Sequence, residues 1–120
     1  MTRESDSFIE FVRDQLQAVG AIECRRMFSG YGLYLRTTFF GIVHDGRLYF
    51  KTDDATRRVY RERGMQPFQP SAKQTLVSYY EVPPDVLEDR ETLAEWARRA
   101  AAAQSSTTRR ASKRKRGKRK

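Results

Sequence analysis

The glycine-containing stretch RRMFSGYGLYL, Arg25 to Leu35, has a Gly-x-Gly spacing that could bind phosphate. In a phosphate-binding loop a strand leads through glycines into a helix, whose N-terminal N–H groups point at the anion. Here Gly30 and Gly32 are followed by LYLRTTFFGIV, which is strand-forming sequence, and Leu35 occupies the place of the third glycine of a dinucleotide site. The stretch therefore predicts a turn or bulge in a sheet, where glycine permits positive φ and close backbone approach.

Nucleophilic or metal chemistry would depend on Cys24 and His44, each the one residue of its type in the chain. A Cys–His nucleophile requires the two side chains to meet, and nothing in their spacing demands this. We expect Cys24 to act as a small buried hydrophobe and His44, beside a turn, to face solvent. A zinc site would need two carboxylates as well, so no metal ligand is assigned.

The carboxylate pairs Asp53-Asp54 and Glu88-Asp89 both lie at predicted helix starts. Helix capping and the positive end of the helix dipole explain acidic residues at such positions. We therefore assign no catalytic residue and no cofactor, and we expect the chain not to be an enzyme.

Aromatic residues are concentrated between Glu23 and Lys51, and some of them could stack nucleobases beside cations. The candidate rings and cations are Tyr34, Tyr49 and Phe50 with Arg36, Arg47 and Lys51. Aromatic residues at strand spacing usually form a core, which is what we expect. A face that stacks bases or binds a protein is the alternative.

The first of the elements that must position these side chains is a helix. Ser7 and Glu10 form a capping-box pattern, so the helix is predicted to begin there, and Gly20 is predicted to end it. Its apolar residues recur at helical spacing. They are Phe8, Val12, Leu16 and Val19.

Strands are predicted from Glu23 to Lys51. Asp45-Gly46 is a strong signal for a two-residue hairpin turn, because both turn positions need positive φ. The turn pairs His44 with Arg47, Val43 with Leu48, and Gly41 with Phe50, which places Val43, Leu48 and Phe50 on one face, predicted to be the core face.

The second half of the chain predicts two further helices around a strand. Thr52 or Asp53 caps the first of them, and Gly64 ends it. Its apolar stripe is narrow, Ala55 and Val59 with Tyr60 or Glu62, so we expect this helix to be half exposed. MQPFQPSAKQ is predicted to be a loop or a short edge segment, and TLVSYYEV a further strand. One helical turn follows Pro83-Pro84. Asp89 then caps a last helix, whose apolar face is Leu93, Trp96, Ala97 and Ala100.

The sum is an α+β domain over residues 1–103: two layers, with helices on one face of a mainly antiparallel sheet. The predicted order is helix, three strands, helix, two strands, helix. One cysteine forms no internal disulfide, and no apolar run approaches the ~20 residues that span a bilayer. We expect a cytoplasmic protein.

The C-terminal segment, residues 104–120, differs from the domain in charge. It has nine of the 24 basic residues and none of the 15 acidic ones, so the domain is formally neutral and the whole net charge of +9 belongs to this segment. We call it the basic tail and predict that it is disordered alone and binds nucleic acid without reading sequence. The residues predicted to contact phosphate are Arg109, Arg110, Lys113, Arg114, Lys115, Arg116, Lys118, Arg119 and Lys120. Its alternatives are a solubilising extension or contact with an acidic membrane surface; no acylation motif accompanies it, so no membrane partner is assigned.

Four segments together resemble the N-terminal domain of the TfoX/Sxy family. They are MFSGYGLYL at 27–35, GIVHDGRLYFKTDDAT at 41–56, GMQPF at 64–68 and SYYEVPPDVLED at 78–89. The resemblance covers roughly residues 5–101 and implies an α+β sandwich of an antiparallel sheet and helices. The chain departs from the family pattern in having Ser29-Gly30 where Gly-Gly is usual.

The family includes bacterial regulators of natural competence, which act with a cyclic-AMP-dependent activator at certain promoters. Those regulators add a helical C-terminal domain, whereas this chain has the basic tail. The resemblance implies a transcription or competence accessory factor whose domain binds a protein partner, such as a transcription activator, while the tail holds it near nucleic acid and the nucleoid. The alternatives are a small-molecule-binding or enzymatic domain with a pocket near Tyr31, Tyr34 and Tyr79, and a homodimer through a sheet edge or helix.

Overall fold

The computed structural model describes the backbone of residues 2–27 and 30–118 and the side chains of residues 7–27 and 30–104. The elements in this part of the chain are α1 (Thr2–Gln15), β1 (Ile22–Met27), β2 (Gly30–Leu35), β3 (Thr38–His44), β4 (Arg47–Lys51), α2 (Asp54–Glu62), β5 (Pro67–Ser71), β6 (Gln74–Glu81), α3 (Pro84–Glu88) and α4 (Arg90–Lys118).

The strands form one antiparallel sheet in the order β1-β2-β3-β4-β6-β5, with β1 and β5 at its edges. This confirms the predicted α+β class and the mainly antiparallel sheet. The predicted order has three strands before α2, whereas the structure has four, because Ile22–Met27 forms a strand of its own. Apolar and polar residues alternate in it only from Ile22 to Arg25, and Arg26 breaks the pattern, so its sequence gives a short strand signal.

The hairpin between β3 and β4 has the predicted turn and register. Asp45 and Gly46 both adopt positive φ, 54° and 71°. The pairs are His44 with Arg47, Val43 with Leu48, and Gly41 with Phe50. The period of two along each strand then sends alternate side chains to opposite faces of the sheet.

Helices cover one face of the sheet and enclose the larger core, which we call the helix-side core. The helices contribute Ile9, Val12, Leu16, Tyr60, Val86, Leu93, Ala97 and Ala100, and the sheet contributes Leu33, Phe40, Val43, Leu48, Phe50 and Tyr80. The predicted core face of Val43, Leu48 and Phe50 is therefore confirmed, as is the predicted apolar face of α4 at Leu93, Ala97 and Ala100.

A second, smaller cluster lies on the other face of the sheet. We call it the open-face cluster: Ile42, Tyr49, Phe68 and Tyr79, with Phe39 and Leu76 packed against them. All of its members belong to strands. The prediction that the strand aromatics form core is borne out on both faces, since Phe50 is in the helix-side core and Tyr49 in the open-face cluster.

Helix α1 begins at Thr2, five residues before the predicted start at Ser7. The segment before Ser7 lacks glycine and proline and contains good helix formers, so helix can form there without a cap at Ser7. The predicted apolar stripe is confirmed at Val12 and Leu16, which have no exposed surface. The predicted end at Gly20 is wrong, because α1 ends at Gln15 and a turn leads from there to Gly20, which has φ 138°.

Capping fixes the starts of α2 and α4 as predicted. The N–H of Thr56 donates to Asp53 Oδ1 at 2.9 Å, and the N–H of Asp53 donates to Thr56 Oγ1 at 3.0 Å, which completes a capping box. At α4 the N–H and hydroxyl of Thr92 donate to the two carboxylate oxygens of Asp89, and these bonds lower the pKa of Asp89. Gly64 ends α2 with φ 77°.

The predicted apolar stripe of α2 is confirmed at Tyr60, which is its buried residue, and is wrong at Ala55, which is exposed. Val59 is 37% exposed, so the helix is partly exposed as predicted. The bulky ring of Tyr60 packs against Tyr80 and Trp96 and thereby fixes which side of α2 faces the sheet.

Helix α4 crosses the predicted boundary at residue 104, and its backbone is helical as far as Lys118. The side chains of residues 105–120 lie outside the described part of the structure. The disorder of the basic tail therefore stays a prediction.

Candidate functional site

Gly30 and Gly32 lie within β2, so the glycine stretch belongs to the sheet and does not lead into a helix. A Cβ on Gly30 would be 2.0 Å from the carbonyl oxygen of Val43, and one on Gly32 would be 2.7 Å from Met27 Cε. The pairing of β2 with β3 is irregular just afterwards, between Leu33 and Tyr34. The predicted close backbone approach is confirmed at Gly30, and the predicted bulge lies after the glycines. The positive φ expected of the glycines is not found at Gly32. Phe28 and Ser29 lie outside the described residues.

Cys24 and His44 point to opposite faces of the sheet. Cys24 pairs with Leu33 on β2 and packs against the helix-side core. His44 is half-buried on the other face, where its ring lies edge-on to Phe68 at 5.3 Å between centroids. Burial raises the pKa of the Cys24 thiol, which favours the unreactive protonated form. The two side chains form no nucleophile pair, and the expectation that His44 simply faces solvent is corrected by its contact with Phe68.

The candidate carboxylates act as helix caps or in surface ion pairs. Asp53 and Asp89 cap α2 and α4, and Asp54 lies 3.3 Å from Arg57 in an exposed ion pair. In residues 7–27 and 30–104, no group of three or more His, Cys, Asp and Glu side chains is arranged to hold a metal ion.

The aromatic residues grouped by sequence do not form one surface. Phe50 is buried in the helix-side core, whereas Tyr34 and Tyr49 lie on the open face, where Tyr49 is only 8% exposed. The guanidinium of Arg25 covers the ring of Tyr34 at 4.6 Å, and the ammonium of Lys51 lies 5.6 Å from the ring of Tyr79. Because the rings are buried or already covered by cations, the open face offers little area for a nucleobase to stack.

The predicted ligand pocket near Tyr31, Tyr34 and Tyr79 is wrong. Tyr31 packs against the helix-side core, while Tyr79 belongs to the open-face cluster and Tyr34 contacts Phe39 beside it. The period of two along β2, broken only after Leu33, sends Tyr31 and Tyr34 to different faces.

The structure instead places a small apolar pocket between α2 and α4, which we call the interhelical pocket. Its volume is about 70 Å³. Its wall is formed by Lys51, Thr56, Val59, Tyr60, Trp96 and Arg99. Trp96 is held edge-on against Tyr60 with centroids 4.9 Å apart, and the Arg63 guanidinium lies 5.4 Å from the Trp96 ring. The floor of the pocket is therefore a rigid pair of aromatic rings.

The interhelical pocket has little free positive charge at its rim. Arg99 pairs with Glu95 at 3.2 Å, and the Lys51 ammonium lies 5.6 Å from the Tyr79 ring on the open face. Burial, and secondly the charge of Arg57, lower the pKa of Lys51. A separate cleft is lined by Arg57, Arg58, Arg61, Asp54 and Glu62. The pocket can accept a small apolar group.

Sequence reasoning missed this pocket. It placed Trp96 on the apolar face of α4 and Val59 on α2, but it gave no sign that the two helices meet. The usable signal was Val59 and Tyr60, the two large apolar residues of a helix that is rich in charged side chains.

The predicted phosphate-contacting residues of the basic tail, Arg109 to Lys120, have side chains outside the described part of the structure. Their role stays a prediction. Among the helices described, including the long α4, none has the length and apolar character to cross a membrane.

The fold defines the class as an α+β domain with one antiparallel sheet and helices packed on one face. The sequence profile of the TfoX N-terminal domain matches residues 14–104, which is most of the chain. This protein belongs to the TfoX N-terminal domain family.

A curated relative supports the same assignment. The chain is 31% identical over 84 residues to the DNA transformation protein TfoX1 of Aliivibrio fischeri. The match covers 68% of this chain and 38% of the relative, so the chain spans well under half of that protein's length.

Proposed function

We propose that this chain is a non-enzymatic regulatory protein of the TfoX type, an accessory factor in transcription or competence-type regulation in the bacterial cytoplasm. Its α+β domain binds a protein partner, such as a transcription activator, and its basic tail contacts nucleic acid without reading sequence. The name of the relative, a DNA transformation protein, supports a role connected with DNA.

The observation that carries this proposal is the separation of charge along the chain. All of the net charge of +9 lies in the basic tail, and the domain is formally neutral. Contacts between tail cations and phosphate release counterions and give affinity that depends on salt but not on sequence. Phosphate contacts position a protein without selecting a site. Regulatory specificity must then come from what the domain binds.

The chemistry of the domain supports a binding role over a catalytic one. Cys24 and His44 lie on opposite faces of the sheet, and the carboxylates Asp53 and Asp89 are engaged as caps. The interhelical pocket, at about 70 Å³, is far below the roughly 300–1,000 Å³ of typical small-molecule sites. Two other clefts, of about 360 and 590 Å³, are large enough, but charged and polar side chains form most of their walls, whereas small-molecule sites are mostly apolar. These observations argue against the small-molecule and enzymatic alternative.

Binding of a DNA duplex tests the role of the tail. If six tail cations contact phosphate, the logarithm of the affinity falls with the logarithm of salt concentration at a slope of about −0.9 × 6, or roughly −5. The comparison uses the full chain, a chain shortened after Ala103, and a full-length variant with the nine tail cations replaced by glutamine. Both altered chains should lose most of the affinity.

A matched control replaces three domain cations, Arg57, Arg58 and Arg61, by glutamine and leaves the tail intact. Its affinity for the duplex and its salt slope should stay close to those of the original chain. Equal binding by the original chain and the tail variants, or a flat response to salt, would remove the tail from the proposal.

A further inference from the structure

We propose that two copies of this chain pair through the outer edge of β1, antiparallel and in a register centred on Cys24. The occupant of this edge is thus a second copy of the chain. The inference goes beyond the proposed function and does not depend on the basic tail binding nucleic acid.

The outer edge of β1 is open to a further strand. Strand β1 pairs with β2 along one side, and no strand of the described chain pairs along its other side. Apart from those to β2, no backbone hydrogen bond joins residues 22–27 to another described element. A strand in this position presents N–H and C=O groups that another strand can bind.

Pairing between identical strands allows only a few registers. Two copies of one strand that pair antiparallel are related by a two-fold axis perpendicular to the sheet. One residue then faces its own copy across the axis, and residues equally far before and after it face each other. Both copies turn their helices to the same side of the joined sheet.

The charges of β1 distinguish among these registers. With Cys24 on the axis, Glu23 of each copy faces Arg25 of the other, so opposite charges meet twice. With Glu23, Arg25 or Arg26 on the axis, that residue would face its own copy, and like charges directly opposite each other are destabilising. An axis at either end of β1 would leave most of the strand unpaired. The register centred on Cys24 is therefore the favourable one.

Glu23 and Arg25 are exposed at the position that this pairing requires. Their side chains are 55% and 57% exposed, and within one copy they lie 3.0 Å apart. A second copy would extend this ion pair into a row of four alternating charges, in which each carboxylate lies beside two guanidinium groups. The pairing thus adds to the existing ion pair without breaking it.

The register also places Arg26 of each copy opposite Ile22 of the other, on the helix side of the sheet. Ile22 packs against the helix-side core, and the Arg26 guanidinium lies 5.8 Å from the ring of Tyr31, which packs there too. Both side chains therefore leave β1 on the same face, as direct cross-strand neighbours must. The aliphatic stem of Arg26 can cover Ile22 while its charge reaches past it.

A carboxylate lies beside the position that Arg26 of the second copy would reach. The start of β1 borders a cleft of about 360 Å³ whose charged residues are Glu10, Arg13 and Asp14 of α1. Asp14 pairs with Arg90 at 2.8 Å. Glu10 and Arg26 take part in no ion pair among the side chains that the structure describes. The same register thus brings these two opposite charges toward each other.

Sedimentation velocity of the full chain, at concentrations below and above the expected Kd, measures the pairing. One strand edge is at the low end of interface sizes, so we expect a Kd on the order of 10–100 µM. Every variant carries the basic tail, and about 0.15 M salt screens repulsion between tails beyond about 8 Å.

Reversal of single charges tests the register. Arg25→Glu makes acidic residues face each other across the axis, and Glu23→Arg does the same with cations, so each should weaken pairing at least about tenfold. A mixture of the two variants should pair about as well as the original chain, because each acid of one chain then faces a cation of the other.

The matched controls are Arg99→Glu and Glu95→Arg. These two side chains form a similarly exposed ion pair on α4, and the substitutions change the net charge by the same amounts. Each should alter the Kd less than about twofold. Circular dichroism checks that every variant is folded.

Cysteine cross-linking measures the register directly. In a Cys24→Ser background, one chain carries Glu23→Cys and the other Arg25→Cys, and the mixed pair keeps one contact between Glu23 and Arg25. Facing residues have Cα atoms about 4.5–5.5 Å apart, which a disulfide spans, whereas either chain paired with itself separates its cysteines by about 7–8 Å. Oxidised glutathione, which accepts the two electrons and two protons of the thiols, should link the mixed pair far more than either chain alone.

Three results would overturn the inference. The first is a full chain that stays monomeric at all concentrations, which would leave the edge to a strand of another protein. The second is pairing that the β1 variants weaken no more than the α4 controls do. The third is a mixture that fails to restore pairing, or cysteine chains that link to themselves as readily as to each other. Duplex binding that the tail variants lose would still support the role of the tail, so the two proposals fail separately.

Discussion

The two faces of the sheet exclude water by different means. On one face, helices cover aliphatic and aromatic side chains, and Phe50 and Leu93 have no exposed surface. On the other face only strands contribute, yet Phe68 is equally buried, through its contacts with Tyr49 at 4.7 Å and with His44. A single layer of strands can thus bury large rings when the rings cover one another. The cations Arg25 and Lys51 lie over the outer rings of this layer.

The largest expected effect compares one phenylalanine from each face. Phe50→Ala should reduce the free energy of unfolding by about 3–5 kcal/mol, because it leaves a cavity between the sheet and the helices. Phe68→Ala should cost less, about 2–3 kcal/mol, because β5 is an edge strand with irregular pairing and can relax into the gap. Urea unfolding of both variants gives the two values. An equal or larger loss at Phe68 would show that the open face stabilises the domain as much as the helices do.

The next effect concerns two glycines of β2 that would both carry a Cβ toward the open face. Gly30→Ala should destabilise the domain by about 3 kcal/mol, because the new methyl group would meet the backbone oxygen of Val43. Gly32→Ala should cost about 1 kcal/mol, because it meets the end of the flexible Met27 side chain, which can move aside. Thermal unfolding of the pair provides the measurement, with each glycine as the control for the other. Equal costs would mean that the backbone of β3 also yields.

A smaller effect follows from the ionisation of Tyr79 in the open-face cluster. Burial raises the pKa of Tyr79 to about 12, above its ordinary value of 10.0. The unfolded chain therefore loses this proton at lower pH than the folded chain does, so the stability is complete below pH 10 and declines between pH 10 and 12. Allowing for solvent screening, the decline due to Tyr79 should be about 1–2 kcal/mol.

Unfolding by urea at pH 9 and pH 11.5 measures this decline. Tyr79→Phe removes the ionisable group and should flatten the dependence by that amount. Tyr60 of the helix-side core also has a pKa raised by burial and remains in both proteins, so the comparison isolates the open face. A decline unchanged in Tyr79→Phe would show that the Tyr79 hydroxyl is well solvated.

The smallest effect concerns the cation over an outer ring. Arg25→Gln should lower the thermal unfolding midpoint less than Gly32→Ala does, since the guanidinium is exposed and its pairing with Glu23 is screened by water. The same thermal unfolding measurement applies. A drop in the midpoint larger than that of Gly32→Ala would mean that Arg25 covers the Tyr34 ring as an essential part of the open-face cluster.

The features that the sequence predicted correctly depend on short stretches of chain. The Asp45-Gly46 turn sets the register of β3 and β4, and Asp53 and Asp89 cap helices through backbone groups a few residues away. The wider α+β arrangement follows from the periods of the apolar residues. Two local features were not predicted. Helix α1 starts before Ser7 because helix formation there needs no cap at Ser7. The strand β1 was not separated from β2 because its apolar and polar residues alternate over only four residues.

The candidate site, the interhelical pocket, could not be predicted from the sequence for a different reason. The interhelical pocket exists because Tyr60 of α2 and Trp96 of α4 meet, and these residues are far apart in the sequence. Equally, Tyr31 and Tyr34 are near in sequence but separate onto opposite faces, because strand geometry decides where each ring points. Contacts between distant elements are set by the whole core, which local patterns do not specify.

The two edges of the sheet differ in how they can meet another chain. Strand β5 contains Pro67 and Pro70, which have no N–H to donate, and β1 contains Glu23, Arg25 and Arg26. A fibre forms only if both edge strands of the sheet can pair with a strand of another copy. Strand β5 pairs poorly, because its two prolines have no N–H to donate. If a second copy adds a strand, it does so at β1, and assembly then stops at a closed pair.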